Sequence, residues 1–243
     1  MDKILQVQKE EVGAEIGHKR IGIIAYDDDE VLVSSDPTEL QRLLNIAYQH
    51  SCLWRYCYNA GKCKILIYGR TRGTDIDWML GNAHLEVADQ YTHLGVIMAP
   101  KAASKRRIEE GMKKARRAIY AQCTQGLTVA RMSPLTMHLI WRVYAVSALT
   151  YSLAVTKMSV EDMDYLGRMQ LKINPLIQEL PARVQKAVVH TMLGAPPCRI
   201  MIMRVAMQFL GFLLKAARSH DITHYVLLHG AVNRDLKGSL TRQ

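Results

Sequence analysis

The chain changes its periodicity once, near residue 100, and that change limits the folds open to it. Before it, short β-branched and aromatic runs are punctuated by Gly61, Gly69, Gly73, Gly81 and Gly95, the pattern of short strands joined by turns. After it, apolar residues recur every three or four positions, which is the helical period. A chain with both patterns in separate halves is expected to be α+β. The expected division is residues 1–100 and 101–243, and 243 residues suffice for one large or two small cores.

The first half predicts a hairpin, Ile21–Tyr26 with a return strand from about Glu30 to Ser34. A helix follows, with Asp36 as cap, Pro37 in its first turn and Leu40, Leu43, Leu44 and Ala47 as its apolar stripe. Further strands are expected at Lys64–Tyr68, Trp78–Leu80, His84–Val87 and His93–Met98. Trp54, Tyr56 and Tyr58 alternate, so on a strand they would share one face. Core packing is the expectation for them and stacking on bases the alternative.

In the second half, Ser104 is placed to cap a helix whose buried face would be Ile108, Met112, Ala115 and Ile119. Ser133-Pro134 begins a second helix, reaching about Tyr151. Ser159 and Asp162 form a capping-box-like start for a third, expected to stop before Pro175. Ala182–Leu193 and Arg199–Ala217 are two more, separated by the Gly194-Ala195-Pro196-Pro197 turn, and the tail after His229 is polar.

Charge bears on partners rather than fold. The net charge of +10 favours a polyanion, either nucleic acid or an anionic membrane surface. The longest apolar run, Val143–Val155, is too short to span a bilayer. The N-terminal stretch lacks the apolar core of a signal peptide. Five cysteines without paired CxxC spacing read as reduced thiols. The expected location is intracellular, nuclear or cytoplasmic, not secreted. His138 reads as a packed or surface histidine, and the other histidines show no dependable metal-ligand spacing.

Two features carry possible chemistry. The first is the stretch Asp27-Asp28-Asp29, between two apolar runs. A hairpin tip can present adjacent carboxylates to one divalent cation; a plain solvated acidic turn is the other reading. The second is KAASKRRIEEGMKKARRAIY, with eight Lys or Arg between 101 and 117. On a helix, Lys105, Arg106, Lys113, Arg116 and Arg117 fall away from the apolar stripe. Such a face either binds phosphates without sequence preference or is simply solvated.

Several segments, in order, resemble the reverse transcriptases of non-LTR retrotransposons. AYDDDEVLVSS resembles their Y-A-D-D box and following strand, YCYNAGKCKILIYG their next palm motif, and YTHLGVIM the element that begins the thumb side. LTMHLIWRVYAVSALTYSLAV, MDYLGRMQLKINPLIQELP and HTMLGAPP resemble the helical region that follows. The resemblance covers roughly residues 15–215.

That resemblance implies a partial polymerase palm followed by a helical thumb. Tyr26 would be the box aromatic, and Asp28 and Asp29 the catalytic, Mg²⁺-binding aspartates. Lys62 would lie near the incoming triphosphate, where a cation offsets phosphate charge; a solvated loop lysine is the bland alternative. His93, Leu94 and Gly95 would grip the primer, although Gly95 could equally mark an ordinary bend. With the resemblance, the basic helix, including Lys114, reads as a thumb helix along the template–primer duplex.

The departures are specific. Asp27 stands where a small residue is usual, and Glu30 where an apolar one is. The family's third metal-binding aspartate has no counterpart: Asp2 is the only aspartate before Asp27, and its context, MDKILQ, does not match. The implied function is a fragment of an RNA-directed DNA polymerase, acting on an RNA template and DNA primer and expected to be inactive alone. A non-catalytic nucleic-acid-binding or interaction protein derived from such an element is the alternative, and a decayed product without function a third.

Overall fold

The computed structural model describes residues 12–16, 19–69, 76–124, 132–156, 158–178, 180–181, 184–192, 194, 196–217 and 223. The fold is α+β, with short sheets in the first part and helices in the second. The chain divides into two compact units, one of residues 1–94, 98–101 and 213–243, the other of residues 95–97 and 102–212.

In the first unit, β1 (Ala14–Ile16) pairs antiparallel with β2 (Lys19–Ile21), and β3 (Ile23–Tyr26) with β4 (Asp29–Leu32). Ile21 therefore ends a separate hairpin rather than opening the acidic one. The helix α1 (Pro37–Trp54) starts where expected, because the Asp36 carboxylate accepts hydrogen bonds from the N–H groups of Thr38 and Glu39. Those bonds hold Asp36 below the usual carboxylate range, the Thr38 side-chain bond contributing most. Leu43, Leu44 and Ala47 are buried.

A three-stranded sheet follows, in the order β5 (Lys64–Ile65), β7 (Ala83–Val87), β6 (Trp78–Leu80). Leu44, Ile65, Trp78, Leu80 and Leu85 form its core, and Val12 with Leu43 a smaller one. Gln41 on α1 pairs with the β6 backbone at both its amide atoms, donating to Met79 O at 2.8 Å and accepting from Met79 N at 3.0 Å. Gly81, between β6 and β7, has φ 62°, and a Cβ there would meet the Tyr48 ring at 2.3 Å. Only glycine fits.

The expected strand at His93–Met98 is instead a hairpin of β8 (Tyr91–His93) and β9 (Val96–Met98). Leu94 and Gly95 both take positive φ, 47° and 75°, which is the two-residue turn that matches strand twist. The boundary between the units falls inside this hairpin.

The second unit is built on α2 (Ala103–Thr124), α3 (Pro134–Ile140), a π-helical stretch (Trp141–Val146), α4 (Ser147–Thr150), α5 (Val160–Ile177), α6 (Lys186–Thr191) and α7 (Cys198–Ala216). Ser104 lies inside α2 rather than capping it. Ala102 takes φ 52° and its carbonyl accepts from Arg106 N, so the helix begins two residues earlier than a Ser104 cap would place it. Ile108, Met112 and Ala115 are buried as the stripe requires, and the Ile119 side chain lies outside the description.

The π-helical stretch has a packing reason. Met137, Trp141, Ala145, Leu149 and Leu153 are all buried and recur every four residues. In an uninterrupted α-helix such a ridge rotates about 40° per repeat. The wider π turns oppose that drift and keep the ridge on the core.

The capping box at α5 forms: Ser159 N donates to Asp162 Oδ2 at 3.0 Å and Asp162 N to Ser159 Oγ at 3.1 Å. The helix then runs through Pro175, where the sequence predicted a stop. Its buried face explains this, because Gln170, Asn174 and Gln178 are buried four residues apart. Gln170 accepts from Cys198 N and donates to Pro196 O, tying down the start of α7. Gln178 donates to Val189 O in α6. The helix α6 is shorter than the sequence suggested, and the tail after His229 lies outside the described residues.

Candidate nucleic-acid interface and acidic hairpin

The acidic residues sit at a hairpin tip because β3 and β4 leave only two residues between them. Tyr26 pairs with Asp29, so Asp27 and Asp28 form the turn and Asp29 opens β4. Asp27 takes φ 54°, a conformation that aspartate tolerates better than most residues. Tyr26, Asp27, Asp28 and Asp29 are all exposed, so the charge repulsion between the carboxylates is relieved by water.

Carboxylate oxygens are suitable ligands for Mg²⁺, which is commonly held by one or two carboxylates with water and substrate phosphate completing its shell. Asp28 and Asp29 supply two exposed carboxylates, one from the turn and one from the start of β4. A two-ion site needs ligands from a second element, and among the described residues no three His, Cys, Asp or Glu side chains are grouped to hold an ion.

Lys62 is exposed on a turn closed by its own N–H donating to Asn59 O at 2.9 Å. His93 ends β8, half-buried, and Leu94 is exposed at the turn. Gly95 meets its conformational requirement in that turn, which accounts for the glycine without any bound strand.

The basic helix α2 sorts its cations by face. Lys105, Lys113, Arg116 and Arg117 are exposed, and Arg106 is half-buried. Lys113 and Arg117 lie 3.9 Å and 4.0 Å from Glu110, surface ion pairs of small energetic weight. Lys114 differs, since its ammonium donates to Gly95 O at 3.2 Å. Arg107, which the sequence reading did not single out, donates to Ile97 O at 2.6 Å and to Thr156 Oγ1 at 3.0 Å. These two residues are tied to the backbone of Gly95 and Ile97. Helical spacing could have flagged them, because both fall on the flank between the apolar stripe and the outer face.

The alternating aromatic residues Trp54, Tyr56 and Tyr58 do not share a strand face. Trp54 ends α1, and Tyr56 and Tyr58 follow in irregular chain rather than a strand. Trp54 and Tyr56 are exposed, and only Tyr58 packs against the sheet core. Glu30, a departure from the family pattern, accepts the Tyr58 hydroxyl at 2.5 Å. Burial first, and that bond second, push the Tyr58 phenol well above the ordinary tyrosine value. His138 is half-buried and held below the ordinary histidine value by burial and by Arg142.

No helix among the described residues is long and apolar enough to cross a membrane. No family model, curated protein or solved structure matches the chain.

Proposed function

We propose that the chain is a nucleic-acid-binding segment of the reverse-transcriptase type, residues 1–100 corresponding to part of a palm and residues 101–243 to a thumb and the helical region after it. One observation carries the binding. On α2, burial of Ile108, Met112 and Ala115 commits one face to the core, which leaves Lys105, Lys113, Arg116 and Arg117 to solvent. Four cations on one rigid helix match a phosphate backbone, which repeats its charge along a duplex groove. The resemblance of the aspartate box and the motifs after it supports the palm assignment. In that reading Asp28 and Asp29 would hold Mg²⁺, which supplies charge neutralisation at a phosphoryl group when bound. Lys62 is the candidate cation for the triphosphate, and His93, Leu94 and Gly95 are the candidate primer-contacting residues. Lys114 acts indirectly, by fixing Gly95.

The non-catalytic reading rests on a specific observation too: the described residues bring no further metal ligand to Asp28 and Asp29. The binding claim is common to both readings.

The test is a duplex titration at several salt concentrations. Changing Lys105, Lys113, Arg116 and Arg117 together to glutamine is expected to weaken binding. The slope of log affinity against log salt should flatten by about 0.9 for each lost phosphate contact. Equal affinity and equal slope for wild type and variant would exclude α2 as the contact surface.

A further inference from the structure

The helix α1 ends without a glycine. Arg55 takes φ 57°, its N–H donates to Cys52 O at 3.4 Å, and Tyr56 N–H donates to Ser51 O at 3.1 Å. This is a Schellman turn with arginine in the left-handed position. It folds the chain back so that Tyr56 lies beside the last turn of the helix. His50, one turn before Trp54, meets both rings. Its centroid is 6.1 Å from Trp54, tilted by 37°, and 5.9 Å from Tyr56, edge-on at 65°. Tyr58 meets Tyr56 edge-on at 5.4 Å.

A single polar chain joins His50 and the two tyrosines. Tyr58 donates to Glu30, Tyr56 and Tyr58 hydroxyls are 3.1 Å apart, and His50 Nδ1 is 2.9 Å from the Tyr56 hydroxyl. An ionised carboxylate only accepts, so Tyr58 must give its one proton to Glu30. Tyr56 then donates to Tyr58, and His50 donates from Nδ1 to Tyr56. Every donor in the chain is used once, in one direction. The tyrosine rings are held before any ligand arrives, which lowers the ordering cost of binding.

Despite that bracing, Trp54 is 55% exposed and Tyr56 36%. Arg55 and Lys62 are exposed on the same loop, in a chain of net charge +10. Exposed rings interleaved with cations suit a ligand with flat apolar faces on an anionic backbone. A purely apolar protein partner would have no use for Arg55 and Lys62. We propose that Trp54 and Tyr56 form a stacking platform for unpaired bases of single-stranded nucleic acid, with Arg55 against its backbone. This goes beyond the duplex contact assigned to α2 and does not depend on it.

The experiment uses the full chain and an oligothymidylate of about 20 nucleotides, beside a duplex of the same length. Trp78 and Trp141 are 2% and 6% exposed, so quenching by the single strand should report Trp54. Trp54→Ala and Tyr56→Ala should each weaken single-strand binding roughly 5- to 150-fold and leave duplex binding unchanged. Trp54→Phe should keep the affinity and lose the quenching. The proposal is overturned if the wild type does not bind the single strand, or if Trp54→Ala binds it as well as wild type, which would leave the platform to a protein partner. Equal losses on single strand and duplex, or quenching that survives in Trp54→Phe, would overturn it too. Loss of duplex binding in the α2 variant alone speaks only to the thumb assignment.

Discussion

The two units are held together differently. The second has one continuous apolar cluster, eleven buried residues from Ile108 to Ile202 drawn from α2, α3, the π-helical stretch, α4 and the turn after it, α5 and α7. The first has two small clusters, of five and two buried residues, and makes up the difference with polar ties. Glu39 accepts from Arg20 at 3.3 Å, from Ser34 at 3.0 Å and from Gly13 N at 3.4 Å. Gln41 pairs with Met79, and Glu30 takes the Tyr58 proton. The reason is geometric. Strands of two to five residues offer few inward positions, whereas long helices contribute one every three or four residues. Stability in the first unit thus depends on directional bonds, and in the second on volume.

The largest test of that contrast is a cavity. Leu166→Ala removes a side chain that is 1% exposed from the middle of the larger cluster. It should cost about 2–5 kcal/mol, read as a lower denaturation midpoint and faster hydrogen exchange in α2, α3 and α5. A loss no greater than that of a surface substitution would show that the cluster is not the source of stability.

A smaller test concerns the buried amides of the second unit. Gln170→Ala leaves Cys198 N–H and Pro196 C=O without their partner, at a cost of about 1–3 kcal/mol. Asn174 is 1% exposed and both its amide atoms lack a partner. Asn174→Leu should therefore be neutral or stabilising. Urea midpoints of the two variants decide it, and a destabilising Asn174→Leu would mean the amide is satisfied in solution.

The smallest effect is confined to high pH and to the first unit. The Tyr58 phenol is raised above its ordinary value of 10.0, chiefly by burial and then by its bond to Glu30. Above that value the unfolded chain releases a proton that the folded chain keeps. The unfolded state then binds fewer protons, so stability should fall as pH rises past about 10. Tyr58→Phe should flatten the fall, the remainder coming from Tyr48 and Tyr56, whose phenols are also raised. Urea midpoints measured from about pH 9 to 11 check this; an identical decline in the variant would place the effect elsewhere.

Much of the fold was legible because its signals are local. Asp36-Pro37, Ser133-Pro134 and the Ser159–Asp162 pair each start a helix where the sequence puts it, since a cap needs only residues within one turn. The acidic hairpin was legible for the same reason, although its strands are shorter than the apolar runs suggested. The turn at Leu94-Gly95 was missed because leucine carries no turn signal. Pro175 misled because Gln170 and Gln178, buried on either side of it, are tied to Pro196, Cys198 and Val189, contacts that no local signal reveals. Of the candidate site, helical spacing alone placed Lys105, Lys113, Arg116 and Arg117 on the outer face of α2.

By itself, then, the amino-acid order determined the α+β class, most helix starts, the exposed acidic tip and the polarity of α2. Each depends on neighbours within about four positions, where backbone geometry is set. Tertiary structure decided which cations pair with backbone, as Arg107 and Lys114 do with Ile97 and Gly95. It also decided that Glu30, 28 residues before Tyr58, becomes its acceptor, and that Tyr58 in turn holds the Tyr56 hydroxyl. No local rule pairs residues that far apart, because their meeting depends on how α1 packs, and packing is set by the whole core at once.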